Sequence, residues 1–158
     1  MKKDLFAKLI DESLPMLRGT AYRILGNADD ADDAVQEALL LAWKKFDSFQ
    51  SRAKISTWVC RITVNVAYDM LRKRQREEKK LRNIIPDESC DPFETQRIDV
   101  LKKAVSELPE KLRNALSFTF FSGLSGEEAA KLQNCNVNTL YGRVARAKEL
   151  LYEKLKGF

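Results

Sequence analysis

Histidine is the most informative absence from this sequence, which has none among its 158 residues. Without an imidazole the chain has no His-based general acid or base, no Ser-His or Cys-His nucleophile pair and no metal site with an imidazole ligand. The three cysteines, Cys60, Cys90 and Cys135, are well separated and form no Cys-x-x-Cys motif. We therefore expect no catalytic residue, no metal and no cofactor. We interpret the cysteines as reduced packing residues, with a redox-sensing thiol as the alternative.

Glycine and proline are also scarce, with six and four residues, and no glycine-rich phosphate-binding loop is present. Together with the missing histidine, this disfavours a small enzyme. No apolar run approaches the roughly 20 residues that a membrane-spanning helix needs. Residues 1–4 lead into an amphipathic segment rather than a signal peptide. The sequence therefore predicts a helical, cytoplasmic protein without membrane insertion.

What the sequence does contain is an ordinary globular composition with a small excess of cations. Hydrophobic residues make up 44% and charged residues 32%, and the formal net charge is +5. This length suits one domain or two small ones. Because phosphate binding needs cations clustered on one surface, the placement of the charges decides whether a nucleic acid is the partner.

Hydrophobic periodicity predicts three helices in the first half of the chain. Residues 4–25 form one helix, or two that break near Pro15 and Gly19. Acidic residues after Gly26 indicate the start of a second helix, and Ser56 is predicted to cap a third. The predicted core stripe of the second helix is Ala34, Val35, Ala38, Leu39, Ala42, Trp43 and Phe46, and that of the third is Val59, Ile62, Thr63, Val66, Ala67 and Met70.

The helical pattern fails over residues 83–96, where Pro86 and Pro92 bracket an acidic stretch, and we predict an extended linker there. The predicted fold class is all-α, with two small helical bundles over residues 1–82 and 97–158.

In the second bundle, Pro109 is predicted to be the first residue of a helix that buries Phe120 and ends at Gly123.

A helix-turn-helix is predicted near the carboxyl end. Ser125 and Glu128 form a capping box for a short helix that runs through Gln133, and Asn138 is predicted to cap the next helix. In this motif the first residues of the second helix reach base edges in the major groove, while nearby cations pair with phosphates. The candidates are Asn138, Thr139, Tyr141, Gly142 and Arg143 for bases, and Arg146 and Lys148 for phosphates. Spacing alone leaves open two short helices that bind no DNA.

A second candidate surface follows the third predicted helix. Its polar stripe, opposite the core face, consists of Arg61, Asn65, Tyr68, Asp69, Arg72 and Arg76, and it leads into a basic run that ends at Arg82. Cations beside Trp58 and Tyr68 are typical of single-stranded nucleic-acid binding, which combines stacking with phosphate pairing. We therefore predict that the polar stripe faces outward. A solvated helix end, with Trp58 in the core, is the alternative.

The second predicted helix has an outer face with an exposed leucine among charged and polar residues. This face is Asp33, Gln36, Glu37, Leu40 and Lys44, and it indicates a protein contact. An isolated surface leucine is the alternative interpretation.

In combination these residues resemble the extracytoplasmic-function (ECF) group of the sigma-70 family, which keeps only sigma regions two and four, and the resemblance covers nearly the whole chain. The region-two resemblance is carried by Leu25-Gly26-Asn27, Asp32-Asp33-Ala34-Val35-Gln36-Glu37, Ala42-Trp43 and Ser56-Thr57-Trp58, with Arg61-Ile62, Asn65, Ala67, Asp69, Leu71 and Arg72. The region-four resemblance is carried by Leu108-Pro109-Glu110-Lys111, Gly123-Leu124-Ser125, Glu127-Glu128, Val137, Thr139-Leu140, Arg143 and Ala145-Arg146-Ala147-Lys148.

The resemblance implies core RNA polymerase, promoter DNA and an anti-sigma factor as partners. It implies that Asp33, Gln36, Glu37 and Leu40 contact the polymerase clamp. It implies that the third helix and the preceding loop melt and read the minus-ten element as single-stranded DNA, and that the last helix reads the minus-thirty-five element as duplex. The minus-ten set is Arg52, Lys54, Trp58, Arg61, Asn65, Asp69 and Arg72, to which we add Arg76 from the polar stripe. The linker would thread toward the RNA exit path.

Several residues depart from the family pattern in region four. Gln133 replaces a usual apolar residue, Asn134 and Asn138 stand where glycine is common, and Tyr141-Gly142 replaces Lys-Ser. These departures predict an altered or weakened upstream-element contact. They also leave open a second hypothesis, a sigma-like decoy that binds an anti-sigma factor without binding DNA. Retention of the basic stripe favours the DNA-binding hypothesis.

Overall fold

The computed structural model describes residues 2–50, 54–82 and 92–157, without the side chains of residues 82 and 92–96. Arg52, Cys90 and residues 83–91 of the predicted linker lie outside the described residues. The described chain forms seven α-helices and contains no strand, which confirms the all-α prediction. The helices are α1 (Lys2–Leu25), α2 (Ala28–Lys45), α3 (Ile55–Arg82), α4 (Pro92–Ser106), α5 (Glu110–Phe120), α6 (Gly126–Leu132) and α7 (Val137–Leu155), and a 3-10 turn covers Phe46–Ser48.

Helices α1, α2 and α3 pack against one another as the first bundle. Small and branched apolar residues meet at its centre, where Leu17, Ala38 and Val59 are fully buried. Asn27 starts α2 by accepting a hydrogen bond from the backbone N–H of Asp30. The first backbone N–H groups of a helix have no acceptor within the helix. Because the short side chain of Asn27 supplies one, the chain can turn sharply between α1 and α2.

Helix α1 is continuous through Pro15, so the two-helix alternative for residues 4–25 is wrong. Pro15 is exposed, and Gly19 is half-buried within the same helix. Burial of Ile10, Leu17 and Ile24 along one face holds the helix together across the missing proline N–H.

The second bundle consists of α4, α5, α6 and α7, and its centre is formed by Phe118, Ala115, Leu140 and Ala147. Helix α4 begins at Pro92, so residues 92–96 of the predicted linker are helical. Pro109 precedes α5 as its N-cap residue rather than being the first helical residue.

Periodicity placed two aromatic residues incorrectly. Phe120 is 54% exposed at the end of α5, where the Lys148 ammonium lies 5.0 Å from its ring centre, while Phe118 takes the buried position. Trp43 is 41% exposed, and it contacts Phe6 edge-on with 5.3 Å between ring centres. Both rings lie near a helix end, where a neighbouring helix covers only part of the face that periodicity assigns to the core.

Two predicted helix caps are each displaced by two residues. Helix α3 begins at Ile55, and the Lys54 carbonyl accepts hydrogen bonds from the Trp58 N–H and the Thr57 hydroxyl, so Ser56 lies inside the helix. Helix α7 is capped by Asn136, not Asn138. The basic run through Arg82 is the last part of α3 rather than a separate segment.

The capping box at α6 and the wrongly predicted cap at Ser56 allow a matched test of stability. The Ser125 hydroxyl accepts from the Glu128 N–H at 3.2 Å, and the Glu128 carboxylate accepts from the Ser125 N–H at 3.1 Å. We expect Ser125→Ala to lower the free energy of unfolding by about 1 kcal/mol, because it leaves an N-terminal N–H without an acceptor. Urea unfolding followed by circular dichroism measures this change. Ser56→Ala is the control and should change it by less than about 0.5 kcal/mol; a larger cost at Ser56 than at Ser125 would contradict the observed helix starts.

Candidate nucleic-acid interface

The polar stripe runs along one side of α3, as predicted, but part of this side is covered by the second bundle. Arg61, Asp69 and Arg76 are exposed, whereas Asn65 and Arg72 are half-buried. Tyr68 is only 1% exposed, so the prediction that it faces outward is wrong. Tyr68 is buried because helix α5 packs over this part of α3.

Three members of the polar stripe, in addition to Tyr68, are hydrogen-bonded to the second bundle. Asn65 Oδ1 accepts from Arg113 Nη2 at 3.3 Å and from Asn114 Nδ2 at 3.2 Å. Arg72 Nε donates to the Ser106 carbonyl at 3.2 Å, and Arg61 Nη1 donates to the Leu132 carbonyl at 3.4 Å. The second bundle therefore satisfies groups that would otherwise be available to a ligand.

Tyr68 is at the centre of this contact. Its hydroxyl is 2.7 Å from the Ser117 hydroxyl, and the Arg113 guanidinium carbon lies 4.6 Å from its ring centre. Burial raises the pKa of Tyr68 to about 12, against a smaller lowering by the Ser117 hydrogen bond. The phenol is therefore neutral at physiological pH and acts as a hydrogen-bonding and packing group.

A small buried polar cluster of Thr20, Cys60 and Ser122 lies between the two bundles. The Thr20 hydroxyl donates to the Met16 carbonyl at 2.8 Å and lies 3.4 Å from the Ser122 hydroxyl, and the Cys60 thiol donates to Ser122 at 3.3 Å. Burial raises the pKa of the Cys60 thiol. A protonated, buried thiol is a poor nucleophile, which is consistent with a packing role for Cys60.

The other minus-ten candidates lie around the contact between α3 and the second bundle. Lys54 is exposed and forms an ion pair with Glu128 at 3.7 Å. Trp58 is half-buried and packs against Phe49, with 5.1 Å between ring centres. This partial burial is intermediate between the two interpretations of Trp58, a stacking platform and a core residue. Asp69 is exposed and pairs with Arg72 at 3.2 Å.

The predicted helix-turn-helix corresponds to α6, the turn over residues 133–136 and α7. The backbone of Asn134 has φ of 52°, in the left-handed region that asparagine tolerates better than most residues, which accounts for asparagine where glycine is common. Asn136 caps α7 by accepting from the Thr139 N–H at 2.7 Å. Asn138, Thr139, Tyr141 and Gly142 are exposed in the first two turns of α7.

Arg143 is held more firmly than its neighbours in α7. It is half-buried, and its Nη1 donates to Gln133 Oε1 at 2.6 Å. Arg146 is exposed and pairs with Glu149 at 3.0 Å. Lys148, the other phosphate candidate, lies over the Phe120 ring. Arg146 and Lys148 therefore have different neighbours.

Tyr141 also has a structural partner. A Cβ added to Gly126 would lie 2.6 Å from the Tyr141 hydroxyl, so the ring rests against the first turn of α6 and would have to shift if position 126 carried a side chain. The unusual Tyr141 is thus accommodated by the glycine that follows the Ser125 cap.

The outer face of α2 is separate from both surfaces. Asp33, Gln36, Glu37 and Leu40 are all exposed, and Leu40 is 64% accessible. They lie opposite the buried residues Ala31, Ala34 and Ala38. The α2 outer face can therefore contact another protein while the bundle core stays intact.

Sequence reasoning missed the residues of the second bundle that meet the polar stripe. These are Ser106, Arg113, Asn114, Ser117 and Leu132. A signal was present, because Arg113, Asn114 and Ser117 interrupt the apolar pattern of α5 on one face. Polar residues at helical spacing within a buried helix indicate a second buried contact.

No helix in the described ranges is long and apolar enough to cross a membrane. Models of two protein families match the chain. Sigma-70 region 2 matches residues 9–77, and Sigma-70 region 4 matches residues 98–151.

Two curated relatives are similar over most of their length. The chain is 37% identical over 142 residues to the ECF RNA polymerase sigma factor EcfG of Rhodopseudomonas palustris (strain TIE-1), covering 88% of this chain and 78% of the relative. It is 26% identical over 171 residues to the ECF RNA polymerase sigma factor SigW of Bacillus subtilis (strain 168), covering 98% of this chain and 90% of the relative.

Two solved structures have a similar fold. The sigma factor RpoE of Bartonella quintana, in complex with the anti-sigma factor NepR, is 33% identical with a TM-score of 0.57, covering 98% of both chains. CnrH, in complex with the cytosolic domain of CnrY, is 24% identical with a TM-score of 0.60, covering 98% of this chain and 90% of CnrH. With both region models and a relative of this identity matched, the chain belongs to the ECF group of the sigma-70 family of RNA polymerase sigma factors.

Proposed function

We propose that this chain is an alternative sigma factor that binds core RNA polymerase in the cytoplasm and directs it to specific promoters. The bond-making chemistry belongs to the polymerase, and the chain contributes recognition alone. One observation carries the proposal: a single uninterrupted helix, α3, places amide and guanidinium groups along one side and continues into a basic end. In our proposal residues 1–82 act as region two and residues 97–158 as region four.

The polar stripe and its neighbours would hold the opened minus-ten strand. Arg61, Arg72 and Arg76 supply cations for phosphates, Asn65 supplies an amide for a base edge, and Trp58 supplies a ring. Stacking and phosphate pairing together are the usual basis of single-strand binding. Helix α7 would read the duplex minus-thirty-five element with its exposed first turns and with Arg143.

The covered part of the polar stripe implies that binding requires the bundles to separate. An amide oxygen has two lone pairs, and Asn65 Oδ1 uses both for Arg113 and Asn114. A base cannot take the same acceptor at the same time. We propose that the described arrangement is a closed form, and that the bundles separate when polymerase and promoter are bound.

The α2 outer face would contact the polymerase. Asp33, Gln36, Glu37 and Leu40 combine hydrogen-bonding groups with an exposed apolar side chain, as in a small protein interface. This surface is exposed on the outside of the first bundle, facing away from the buried residues Ala31, Ala34 and Ala38. Polymerase docking can therefore occur before the bundles separate.

An anti-sigma factor is a further proposed partner, because the similar sigma factor of Bartonella quintana was solved in complex with NepR. One observation favours the decoy hypothesis: the second bundle packs over Asn65 and Tyr68. It gives no reason for the exposed cations Arg61 and Arg76 on the same side of α3. We therefore retain promoter binding as the proposed function.

Run-off transcription with core polymerase and a promoter library tests this function. Arg61→Ala should reduce promoter-specific transcripts about tenfold through loss of strand contact, and Glu37→Ala should reduce them by a similar factor through weaker polymerase binding. Glu12→Ala, an exposed acidic residue on α1, is the control and should have no effect. Binding to DNA without promoter preference, or transcription unchanged in both variants, would contradict the proposal.

Two matched variants of α5, one at Ser117 and one at Thr119, test the closed form. Both Ser117 and Thr119 donate to a carbonyl of their own helix, but only Ser117 also meets Tyr68. Ser117→Ala should loosen the contact and make the free protein bind a single-stranded minus-ten oligonucleotide about threefold to tenfold more tightly, because the closed form competes with DNA. Fluorescence anisotropy measures the affinity. Equal affinity of Ser117→Ala and Thr119→Ala would contradict the competition.

A further inference from the structure

Gln133 occupies a junction within the helix-turn-helix. It closes α6 as its C-cap residue and is half-buried. Its Nε2 donates to the Lys111 carbonyl at 3.0 Å, and its Oε1 accepts from Arg143 Nη1 at 2.6 Å. One side chain therefore connects the start of α5, the end of α6 and the first turns of α7.

These two neighbours fix the direction of the Gln133 amide. A carbonyl can only accept a hydrogen bond and a guanidinium can only donate, so the amide nitrogen must face Lys111 and the amide oxygen must face Arg143. Cys135 Sγ lies 3.7 Å from the same Arg143 nitrogen as a second, weaker acceptor. The guanidinium is thereby held on one side by the turn of the motif.

Arg143 keeps donors available for a ligand. Within the described residues its hydrogen bonds use Nη1, which leaves Nε and Nη2 for an outside acceptor. A guanidinium that is already oriented loses less conformational entropy when it binds. Two parallel donors match the O6 and N7 acceptors of guanine in the major groove.

We infer that Gln133 is a positioning residue that sets the base preference of Arg143 for a guanine in the upstream promoter duplex. The inference rests on the proposed role of α7 in reading that duplex. A neutral amide suits this role, because it orients the guanidinium without cancelling its charge. An apolar residue at position 133 leaves Arg143 free to pair with phosphates, which supports affinity without base selectivity. A carboxylate would pair with Arg143 and would oppose the Lys111 carbonyl.

The experiment measures base preference at each position of a randomised minus-thirty-five duplex, using the full chain assembled with core polymerase. Arg143→Ala should lower the preference for guanine at one position about tenfold. Gln133→Leu should lower the preference at that same position, with little change in affinity for the non-preferred sequences. In the Arg143→Ala background, Gln133→Leu should have no further effect, because nothing remains to be positioned.

Three outcomes separate this inference from the proposed function. If Arg143→Ala leaves every base preference unchanged, the proposed reading by this part of α7 fails, and the role of Gln133 fails with it. If Arg143→Ala removes the preference but Gln133→Leu retains it, the positioning role alone is overturned. If Gln133→Leu weakens binding to all sequences equally and lowers the unfolding temperature, Gln133 is a structural residue and the inference is also overturned.

Discussion

Asn65 can give its side-chain oxygen to only one set of donors at a time, and the proposed behaviour of the molecule follows from this limit. In the packed arrangement both lone pairs are taken by Arg113 and Asn114 of the second bundle. Arg61 and Arg72 likewise donate to carbonyl oxygens of that bundle. The groups proposed to hold the opened strand are therefore the groups that hold the bundles together, so that recognition and closure exclude each other.

The contact has features of one that can separate. Arg113 is 4% exposed, yet among the described residues its guanidinium meets only amide oxygens and the Tyr68 ring, with no carboxylate at ion-pair distance. Burial of a cation without an anionic partner stabilises the fold little. It therefore favours replacement of the amide partners of Arg113 by a phosphate or a base. Leu17 in the first bundle and Phe118 in the second are both fully buried, and one apolar cluster extends through the two bundles. Separation would therefore expose the polar stripe together with the part of this cluster that lies between the bundles.

Much of the fold could be predicted from the sequence because buried apolar faces leave a helical period. Apart from Trp43, the α2 and α3 core stripes follow from local rules of this kind, as do the Ser125 capping box and the helix-turn-helix. Periodicity identifies a polar face but does not show what lies against it, which is why Tyr68 was wrongly expected to face solvent. Neighbouring asparagines compete for one cap, and only the backbone geometry selects Asn136 over Asn138. The hydrogen bond from Arg143 to Gln133 depends on how two helices meet at a turn, which spacing cannot specify.

The most direct test of the exclusion between closure and recognition is a distance between the bundles in the free and the bound protein. Spin labels at Lys73 on α3 and Glu110 on α5, both exposed, can be attached after the native cysteines are replaced. Double electron–electron resonance should give a short distance for the free chain and a clearly longer one after core polymerase and promoter DNA are added. The same short distance in a complex that transcribes from the promoter would show that the covered face need not open, and would contradict the account.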